Sequence, residues 1–412
     1  MPDTRAREQL AVEGGTPVHQ SGWMRWPNVS EEAWAAEVEP RFRQVYLSRT
    51  EGLPNPHARE FEEAWCRYTG AQHATLTSHG TDALQAVVAG AVDADGIGYA
   101  GEVIVPNYTF IASATAPLAL QCGICLVDVE PDGFNLSPAA VEAAIGPKTV
   151  GILAVHLGGQ PADLEALGAI AQKHGLALME DCAQAHAAKH RDRHVGTIGH
   201  AAGFSFQSSK NLTSGEGGLV TTSDTATWHR AYAYLNIGRY LGGERWEHPR
   251  IGWNYRSNEY MAAVLLSRLG ALEEETDRRD ANGLYLNGLL AGIEGFTPPR
   301  RMPWCGRHAY HLYMSLYQPA AFGGHSRDEF LRALQAEGVP CSNGYAMPLS
   351  DQEGLAAVAE RYPDRCRAED SPNTRQIIAQ SVWFTQNMML GSRQDMDDIA
   401  TAVAKIKRAW TS

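Results

Sequence analysis

Short apolar runs alternate with longer segments of helical periodicity through the first half of the chain. Phe61, Trp65 and Tyr68 recur at helical spacing, which predicts a helix over 57–68. The apolar runs predict strands, because runs of four to eight residues between turns are typical of strands buried on both faces. They fall near residues 73–77, 103–105, 124–127, 150–155, 176–179, 204–206 and 219–222. Since helices separate most of these strands, the pattern predicts an α/β fold on a mostly parallel, seven-stranded sheet.

The pattern changes after residue 256. A long helical stretch is predicted from Ser257 to about Ile293, and the Pro-rich segment 298–303 follows it as a linker. Strands are predicted near 311–317 and 382–384, and Ser326-Arg327-Asp328-Glu329 has the form of a capping box that opens a helix. We therefore predict an N-terminal arm over 1–25, a large domain over 26–256, and a linking helix with a smaller α+β domain over 257–412.

One lysine follows the sixth predicted strand in an unusual setting. Lys210 comes after a run of hydroxyl residues and before the Gly-rich turn 215–218, and no acidic residue lies within five positions of it. A lysine amine is a poor nucleophile unless its surroundings lower its pKa, and this uncharged setting suits an amine that forms a Schiff base. A lone lysine in a loop is more often an ordinary surface residue, so the interpretation depends on other parts of the chain.

An acidic residue ends the fifth predicted strand. Asp181 follows the apolar run 176–179, at the edge of the sheet where open α/β folds bind their ligands. A buried carboxylate is costly without a positive partner, and a protonated pyridine nitrogen is such a partner. The alternative is that Asp181 only caps the next helix, which is a common role for Asp at the end of a strand.

Two further segments have candidate ligand-binding residues. Gly80 and Thr81 follow the first strand and open a predicted helix, whose free N–H groups favour a phosphate. Ser205 offers a hydroxyl close to Lys210 in sequence. Phe110 follows the second strand and could stack on a flat ring, although most Phe residues belong to a core.

Together these segments resemble the DegT/DnrJ/EryC1/StrS aminotransferases, which are pyridoxal-phosphate enzymes of fold type I that aminate keto-sugars and keto-cyclitols. The motifs that carry the resemblance are Gly80-Thr81-x-Ala83-Leu84, Val103-Ile104-Val105-Pro106-x-x-Thr109-Phe110, Glu180-Asp181-x-Ala183-Gln184, Ser205-Phe206-x-x-x-Lys210, Gly215-Glu216-Gly217-Gly218 and Gly252-Trp253-Asn254-Tyr255-Arg256. The chain departs from the family pattern at Ala187, where a glycine is usual. It also lacks the paired histidines that the cyclitol and aminohydroxybenzoate branch tends to carry around residues 385–387.

The resemblance implies a cofactor and a role for each of several residues. Pyridoxal 5'-phosphate would be bound covalently by Lys210, with Asp181 at its ring nitrogen and Gln184 near its ring hydroxyl. Phe110 would stack on the ring, and the phosphate would lie at Gly80, Thr81 and Ser205. Asn254 would reach the phosphate of the neighbouring subunit, which implies a homodimer with shared active sites.

Composition limits the other classes of function. The net charge of −12, without a basic run of five or more residues, argues against nucleic acid as a partner. No stretch approaches the roughly 18 apolar residues of a membrane span, and the first 22 residues lack a signal-peptide core. The seven cysteines fit a reducing compartment, and the pair Cys122 and Cys125 lacks the second pair that a zinc site needs. We expect a cytoplasmic enzyme without a metal.

Three functions compete on this fold. A transaminase moves nitrogen from an amino acid, glutamine or glutamate, to a ketone. A sugar dehydratase of the same fold carries histidine in place of the lysine, so Lys210 argues against it. A non-catalytic cofactor-binding regulator would need a DNA-binding region, and about 25 residues before the large domain are too few for one.

The acceptor is expected to be a neutral polyol, a ketone on a cyclitol or sugar in an antibiotic-type pathway. Aromatic, imidazole and amide groups suit hydrogen bonding to a polyol, and the candidates in the small domain are His308, Tyr310, Tyr345 and Gln386. A nucleotide-linked keto-sugar would want arginines at its diphosphate, and the adjacent pair Arg300 and Arg301 keeps that alternative open, as does an aminohydroxybenzoate-synthase-like enzyme.

Overall fold

The computed structural model describes residues 9–47, 56–131, 133–244 and 246–411. Its helices are α1 (Glu31–Ala33), α2 (Glu39–Leu47), α3 (Pro56–Thr69), α4 (Gly80–Ala91), α5 (Ala112–Ala119), α6 (Pro138–Ala144), α7 (Leu164–His174), α8 (Thr225–Leu235), α9 (Glu259–Leu269), α10 (Leu272–Leu290), α11 (Arg327–Ala336), α12 (Glu353–Arg361), α13 (Pro372–Gln380) and α14 (Arg393–Thr411). Its strands are β1 (His73–Thr77), β2 (Glu102–Pro106), β3 (Gly123–Val127), β4 (Thr149–Val155), β5 (Ala177–Asp181), β6 (Lys189–His190), β7 (Arg193–His194), β8 (Ala201–Ser205), β9 (Gly218–Thr222), β10 (Phe296–Thr297), β11 (Cys305–Arg307), β12 (Leu312–Tyr317), β13 (Cys366–Ala368) and β14 (Ser381–Thr385).

Eight of the described strands form the main sheet, in the order β1-β9-β8-β5-β4-β2-β3-β13. The seven that come from residues 73–222 match the seven predicted strands, and β9 runs antiparallel to both β1 and β8. The eighth, β13, comes from the C-terminal part of the chain and pairs in parallel with β3, which corrects the predicted count of seven. The apolar pattern did not indicate β13 because it is three residues long and contains Arg367, whose guanidinium binds both oxygens of Glu102 at 2.7 Å.

Helices cover both faces of this sheet. Alternate residues of one strand enter different cores: Val103 and Val105 pack with α4, α5 and α8, whereas Ile104 packs with α6 and α7. The apolar character of the central strands follows from this burial on both sides. The result is a three-layer α/β arrangement, in which the carboxyl ends of β5 and β8 and the N-terminus of α4 lie at one edge.

The C-terminal part builds a second core around the antiparallel sheet β10-β12-β14. Helices α10, α11 and α14 pack on it through Leu286, Phe330 and Met396 among others. The single helix predicted over 257–293 is in fact two helices, α9 and α10, separated at Gly270 and Ala271. None of the described helices combines the length and apolar character that crossing a membrane requires.

The N-terminal arm, as far as it is described, packs on this second core. Glu337 is buried, and its carboxylate accepts hydrogen bonds from the backbone N–H groups of Ala11 and Val18 at 2.8 and 3.1 Å. Lys405 neutralises that carboxylate at 2.9 Å. The arm then continues toward Trp26, whose indole N–H donates to the backbone carbonyl of Lys210 at 3.0 Å.

Candidate active site

A cavity of about 660 Å³ lies between the main sheet and the second core. We call its two sides the large-domain wall and the small-domain wall. The large-domain wall includes Gly80, Thr81, Phe110, Asp181, Gln184, Ser205 and Lys210, and the small-domain wall includes His311, Leu312 and Tyr345. Seven of the eight residues predicted at a cofactor therefore line one cavity, although they come from four separate segments of the chain.

Lys210 follows β8 and faces this cavity. Burial lowers the pKa of its amine to about 8, and the Asp181 carboxylate opposes that shift. The loop is fixed from two sides, because the Lys210 N–H donates to Gln207 at 2.9 Å and the Lys210 carbonyl accepts from Trp26. A pKa near 8 leaves a usable fraction of the amine unprotonated at neutral pH, which nucleophilic chemistry requires.

Asp181 is the last residue of β5 and is 5 % exposed. Its Oδ2 accepts from the Ser113 hydroxyl at 2.7 Å, and its Oδ1 accepts from the backbone N–H of Ala183 at 3.1 Å. Burial raises the pKa of this carboxyl, and the Ser113 hydrogen bond opposes the rise. No cationic side chain of the described residues lies within salt-bridge distance of it, so the cavity contains a buried carboxylate that suits a positively charged ring.

The start of α4 and the end of β8 meet closely at the other end of the cavity. Gly80 is the first residue of α4, and a Cβ added there would lie 2.5 Å from Cβ of Ser205. The absence of a side chain at Gly80 therefore allows the Ser205 hydroxyl to approach the helix N-terminus. The first N–H groups of α4 have no partner within the helix, so together with this hydroxyl they suit a phosphate.

Gln184 and Tyr345 connect the two walls. The Gln184 side chain accepts from the Gly158 N–H at 2.8 Å through Oε1, which directs its amide nitrogen to the Tyr345 hydroxyl at 3.2 Å. Phe110 lies on the cavity wall with 56 % of its surface exposed, unlike an ordinary core phenylalanine. Both positions agree with contacts to a ring bound between Asp181 and the cavity mouth.

Ala187 ends the segment that carries Asp181 and Gln184. It adopts φ 63°, a left-handed conformation that favours glycine over residues with a Cβ. A glycine is usual at this position in the family that the chain resembles, because glycine adopts this backbone conformation without strain. In this chain Ala187 adopts the same left-handed conformation.

Asn254 is exposed and does not line the cavity within one chain. It forms an isolated antiparallel bridge with Asn236, beside the exposed side chains of Ile251 and Trp253. These two apolar residues are 51 % and 54 % exposed, so Asn254 lies on an exposed surface with two apolar neighbours and outside the cavity of its own chain.

Three of the four residues predicted to contact the substrate belong to the interior instead. His308 stacks on Tyr310 at 3.8 Å between ring centroids, and both are buried. Gln386 is also buried, and its Oε1 accepts from Arg279 Nε and Nη2 at 3.0 and 2.7 Å. The prediction is therefore wrong for His308, Tyr310 and Gln386. Gln386 is buried because it supplies the acceptor that the fully buried Arg279 needs, and the rings of His308 and Tyr310 pack against α10. Tyr345 alone of the four lines the cavity.

Two residues that shape the site were absent from the predicted set. Ser113 orients Asp181 from α5, and His311 faces the cavity directly before β12. The pattern treated His311 as the first residue of a strand. A polar residue at the start of a strand was the signal that could have indicated it.

A buried group of His156, Glu180 and Cys182 has the spacing of metal ligands. The imidazole of His156 and the carboxylate of Glu180 already have hydrogen-bond partners, however. His156 Nδ1 accepts from the Ala162 N–H at 3.0 Å, so its Nε2 carries the proton and donates to Glu180 at 3.0 Å. Glu180 also accepts from the N–H groups of Gly196, Ile198 and Gly199. His156 and Glu180 therefore form a hydrogen-bonded network at β5, and neither ring nitrogen of His156 has a free lone pair for a metal.

Comparisons with known proteins agree with this geometry. The sequence model of the DegT/DnrJ/EryC1/StrS aminotransferase family matches residues 35–404 of this chain. A relative from Streptoalloteichus tenebrarius, provisionally named an L-glutamine:3-amino-2,3-dideoxy-scyllo-inosose aminotransferase, is 38% identical over 97% of this chain and 98% of its own. A second relative from that organism, an L-glutamine:2-deoxy-scyllo-inosose aminotransferase, is 35% identical over 97% of both chains.

Solved structures show the same fold. The crystal structure of 3-amino-5-hydroxybenzoic acid synthase superposes with a TM-score of 0.79 at 29% identity, covering 95% of this chain and 99% of that one. The structure of DesI in the presence of its TDP-sugar product gives 0.80 at 28% identity, covering 98% of this chain and 96% of that one.

Proposed function

The chain belongs to the DegT/DnrJ/EryC1/StrS aminotransferase family, and we propose that it transfers an amino group from glutamine or glutamate to a ketone on a cyclitol or sugar in the biosynthesis of antibiotic-type metabolites. It is an aminotransferase that depends on pyridoxal phosphate.

The observation that carries the choice of acceptor is the chemistry of the cavity. No arginine is among the described residues that line it, and the small-domain wall offers only the neutral groups of His311, Leu312 and Tyr345. A diphosphate would need positive charge, whereas a polyol needs donors and acceptors. The names of the relatives, which refer to deoxy-scyllo-inosose ketones, support the same class of acceptor.

The residues of the large-domain wall fit the cofactor. We assign its phosphate to the first N–H groups of α4 at Gly80 and Thr81 and to the Ser205 hydroxyl. Phe110 and Gln184 flank its ring, and Asp181 holds positive charge at its ring nitrogen. When bound there, pyridoxal phosphate supplies an electron sink for the bonds at the substrate's amine-bearing carbon.

Lys210 Nζ has two tasks in this arrangement. It holds the cofactor between turnovers, and once released it is the base that removes and returns the proton at the reacting carbon. Its lowered pKa suits both tasks, because the unprotonated amine is the reactive form. Asp181 acts electrostatically, since its charge stays next to the ring through the reaction.

A nucleotide-linked keto-sugar is the second candidate acceptor, favoured by the similarity to DesI. Arg301, one of the two arginines considered for a diphosphate, is committed elsewhere. It pairs with Asp280 at 2.7 Å and donates to the carbonyls of Cys305 and Gly306. These contacts weigh against that candidate. The similarity to 3-amino-5-hydroxybenzoic acid synthase leaves an aminohydroxybenzoate-synthase-like activity as a further candidate.

We also propose a homodimer with shared sites. Asn254 lies on an exposed surface with Ile251 and Trp253, and it is the one predicted cofactor residue that does not line the cavity of its own chain. A partner copy that covers this surface would bring Asn254 to the partner's phosphate site.

The acceptor is tested by direct assay. Scyllo-inosose and a nucleotide-linked keto-sugar are each offered with glutamine and with glutamate, and the aminated products are measured by mass spectrometry. We expect amination of the cyclitol ketone. Amination of the nucleotide-linked compound alone would overturn the choice of acceptor, and amination of neither would overturn both.

The shared site is tested by subunit mixing. Lys210→Ala and Asn254→Ala subunits are mixed and re-associated, and each alone serves as the control. A shared site predicts partial recovery of activity, because one of the two hybrid sites has both residues. Absence of recovery in a mixture that sediments as a mixed dimer contradicts it.

A further inference from the structure

His311 is a cavity residue to which neither the family motifs nor the relatives' names assign a role. We propose that its Nε2 positions the acceptor substrate by accepting a hydrogen bond from one of the substrate's hydroxyl groups. The inference deepens the proposed function and rests on it, since it concerns the same site.

The hydrogen bonds around His311 define its tautomer. Asn211, the residue after Lys210, donates through Nδ2 to the carbonyl of Ala309 at 2.8 Å. Its Oδ1 therefore faces His311 Nδ1 at 3.1 Å, and because that amide oxygen can only accept, Nδ1 must carry the proton. Nε2 then carries a free lone pair, and none of the described residues donates a hydrogen bond to it. His311 lines the cavity, so this lone pair is available to a ligand.

The imidazole stays neutral in this setting. Burial lowers its pKa well below the ordinary value, and the positive charges of Lys210 and Arg279 and the nearby His186 lower it further. The acceptor character of Nε2 is therefore kept through the pH range in which an enzyme of this kind is assayed.

The backbone before His311 is held in a fixed and strained shape. Tyr310 has φ 42°, in the left-handed region that a residue with a bulky side chain rarely adopts. The Tyr310 N–H donates to His308 Nδ1 at 2.9 Å, and the Ala309 N–H donates to Gly159 at 2.9 Å. Such strain persists only where the surroundings enforce it, and it is enriched at ligand-binding sites. Here it turns the chain so that His311, and not Tyr310, enters the cavity.

Tyr345 complements His311 on the same wall. Its oxygen accepts from Gln184, so its own O–H remains to donate toward the cavity. The small-domain wall thus offers one acceptor and one donor, both neutral. A hydroxyl group both donates and accepts and can satisfy either, whereas a phosphate oxygen only accepts and would face the lone pair of His311 unfavourably. The pair therefore selects hydroxyl-bearing rings over anionic groups.

Two substitutions separate the two ring nitrogens. His311→Asn keeps an amide donor near the Nδ1 position, toward Asn211, and removes the group at Nε2. His311→Gln places an amide oxygen near the Nε2 position instead. The surface substitution His174→Asn, at the exposed end of α7, is the matched control.

We expect His311→Asn to raise KM for the cyclitol ketone about three- to tenfold, the usual size of one lost neutral hydrogen bond, with the turnover number changed less than about threefold. The dissociation constant of scyllo-inositol, which has the ring hydroxyls but no ketone, should rise by the same factor in calorimetry. His311→Gln should recover most of both losses, and His174→Asn should change neither.

Reaction with the donor alone makes the outcomes distinguishable. The change in cofactor absorbance on adding glutamine or glutamate should be the same in wild type and His311→Asn, because the inferred hydrogen bond is made to a hydroxyl group of the ring acceptor and not to the donor. Unchanged KM and unchanged scyllo-inositol binding in His311→Asn overturn the inference while the donor reaction leaves the proposed function standing. A shift of cofactor absorbance with unchanged KM for the ketone also overturns it, because His311 would then act on Lys210. Failure of the wild type with every ring ketone and donor overturns the proposed function itself.

Discussion

The large-domain wall of the cavity is built from the ends of strands, the loops that follow them and the start of a helix, whereas the small-domain wall is built from a strained segment, the first residue of β12 and a loop. Lys210, Asp181 and Gly80 each occupy a position at which the α/β architecture directs side chains or N–H groups toward the edge of the sheet. His311 and Tyr345 reach the cavity only because other contacts turn their segments inward. We infer from this difference that the large-domain wall performs the chemistry and the small-domain wall recognises the acceptor.

Removal of the lysine is expected to give the largest effect. Lys210→Ala should lower turnover by about 10⁴-fold or more, the size seen when a covalent catalytic group is deleted. Borohydride reduction of the wild type followed by peptide mass mapping should place the cofactor on Lys210. The exposed Lys173→Ala on α7 is the control. Cofactor found on a residue outside the large-domain wall would show that this wall does not hold the cofactor covalently.

Neutralising Asp181 separates its charge from its role as a cap. Asp181→Asn keeps an oxygen that can accept from the backbone of Ala183 but removes the negative charge. We expect turnover to fall by about 10²–10³-fold while the cofactor stays bound, because the phosphate contacts remain. Turnover and bound cofactor are measured on the same sample, with the exposed Asp192→Asn as the control. Near-normal turnover would mean that Asp181 is a structural cap only.

The lowered pKa of Lys210 predicts how cofactor-free protein takes up the cofactor. Only the unprotonated amine reacts, and its pKa is about 8 instead of the ordinary value of about 10.4. The uptake rate, followed by absorbance, should therefore rise about tenfold per pH unit below 8 and level off above it. In Asp181→Asn the curve should shift to lower pH. The Asp181 carboxylate partly opposes the lowering of the Lys210 pKa, so that pKa should fall further when the charge is removed. A rate that still rises between about pH 9 and 10, as for a free lysine derivative, contradicts the prediction.

The smallest effect is expected on the small-domain wall. Tyr345→Phe removes one O–H that faces the cavity, so KM for the cyclitol ketone should rise about three- to tenfold with little change in the turnover number. Tyr285→Phe, which removes a partly exposed hydroxyl bonded to Asp397, is the control. If Tyr345→Phe instead slowed turnover by about two orders of magnitude or more, the comparison would break, because the small-domain wall would then take part in the chemistry.

The sequence determined the main sheet and the large-domain wall. Seven buried strands with helices between them allow few topologies, and the carboxyl ends of parallel strands meet at one edge. Local patterns around residues 80, 181, 205 and 210 were therefore enough to place these residues together. The family resemblance added the chemistry of the cofactor.

The tertiary structure alone decided the small-domain wall and the eighth strand. His308, Tyr310 and His311 lie within four positions, and nothing in their order tells which of them is buried in the core and which faces the cavity. The left-handed turn at Tyr310 and the contacts of residues far away in sequence, Asn211 and Gly159, settle it. β13 is likewise too short for an apolar pattern and is stabilised by pairing with β3 and by the contact of Arg367 with Glu102. Periodicity reports burial along one element, whereas these positions depend on which distant element packs against them.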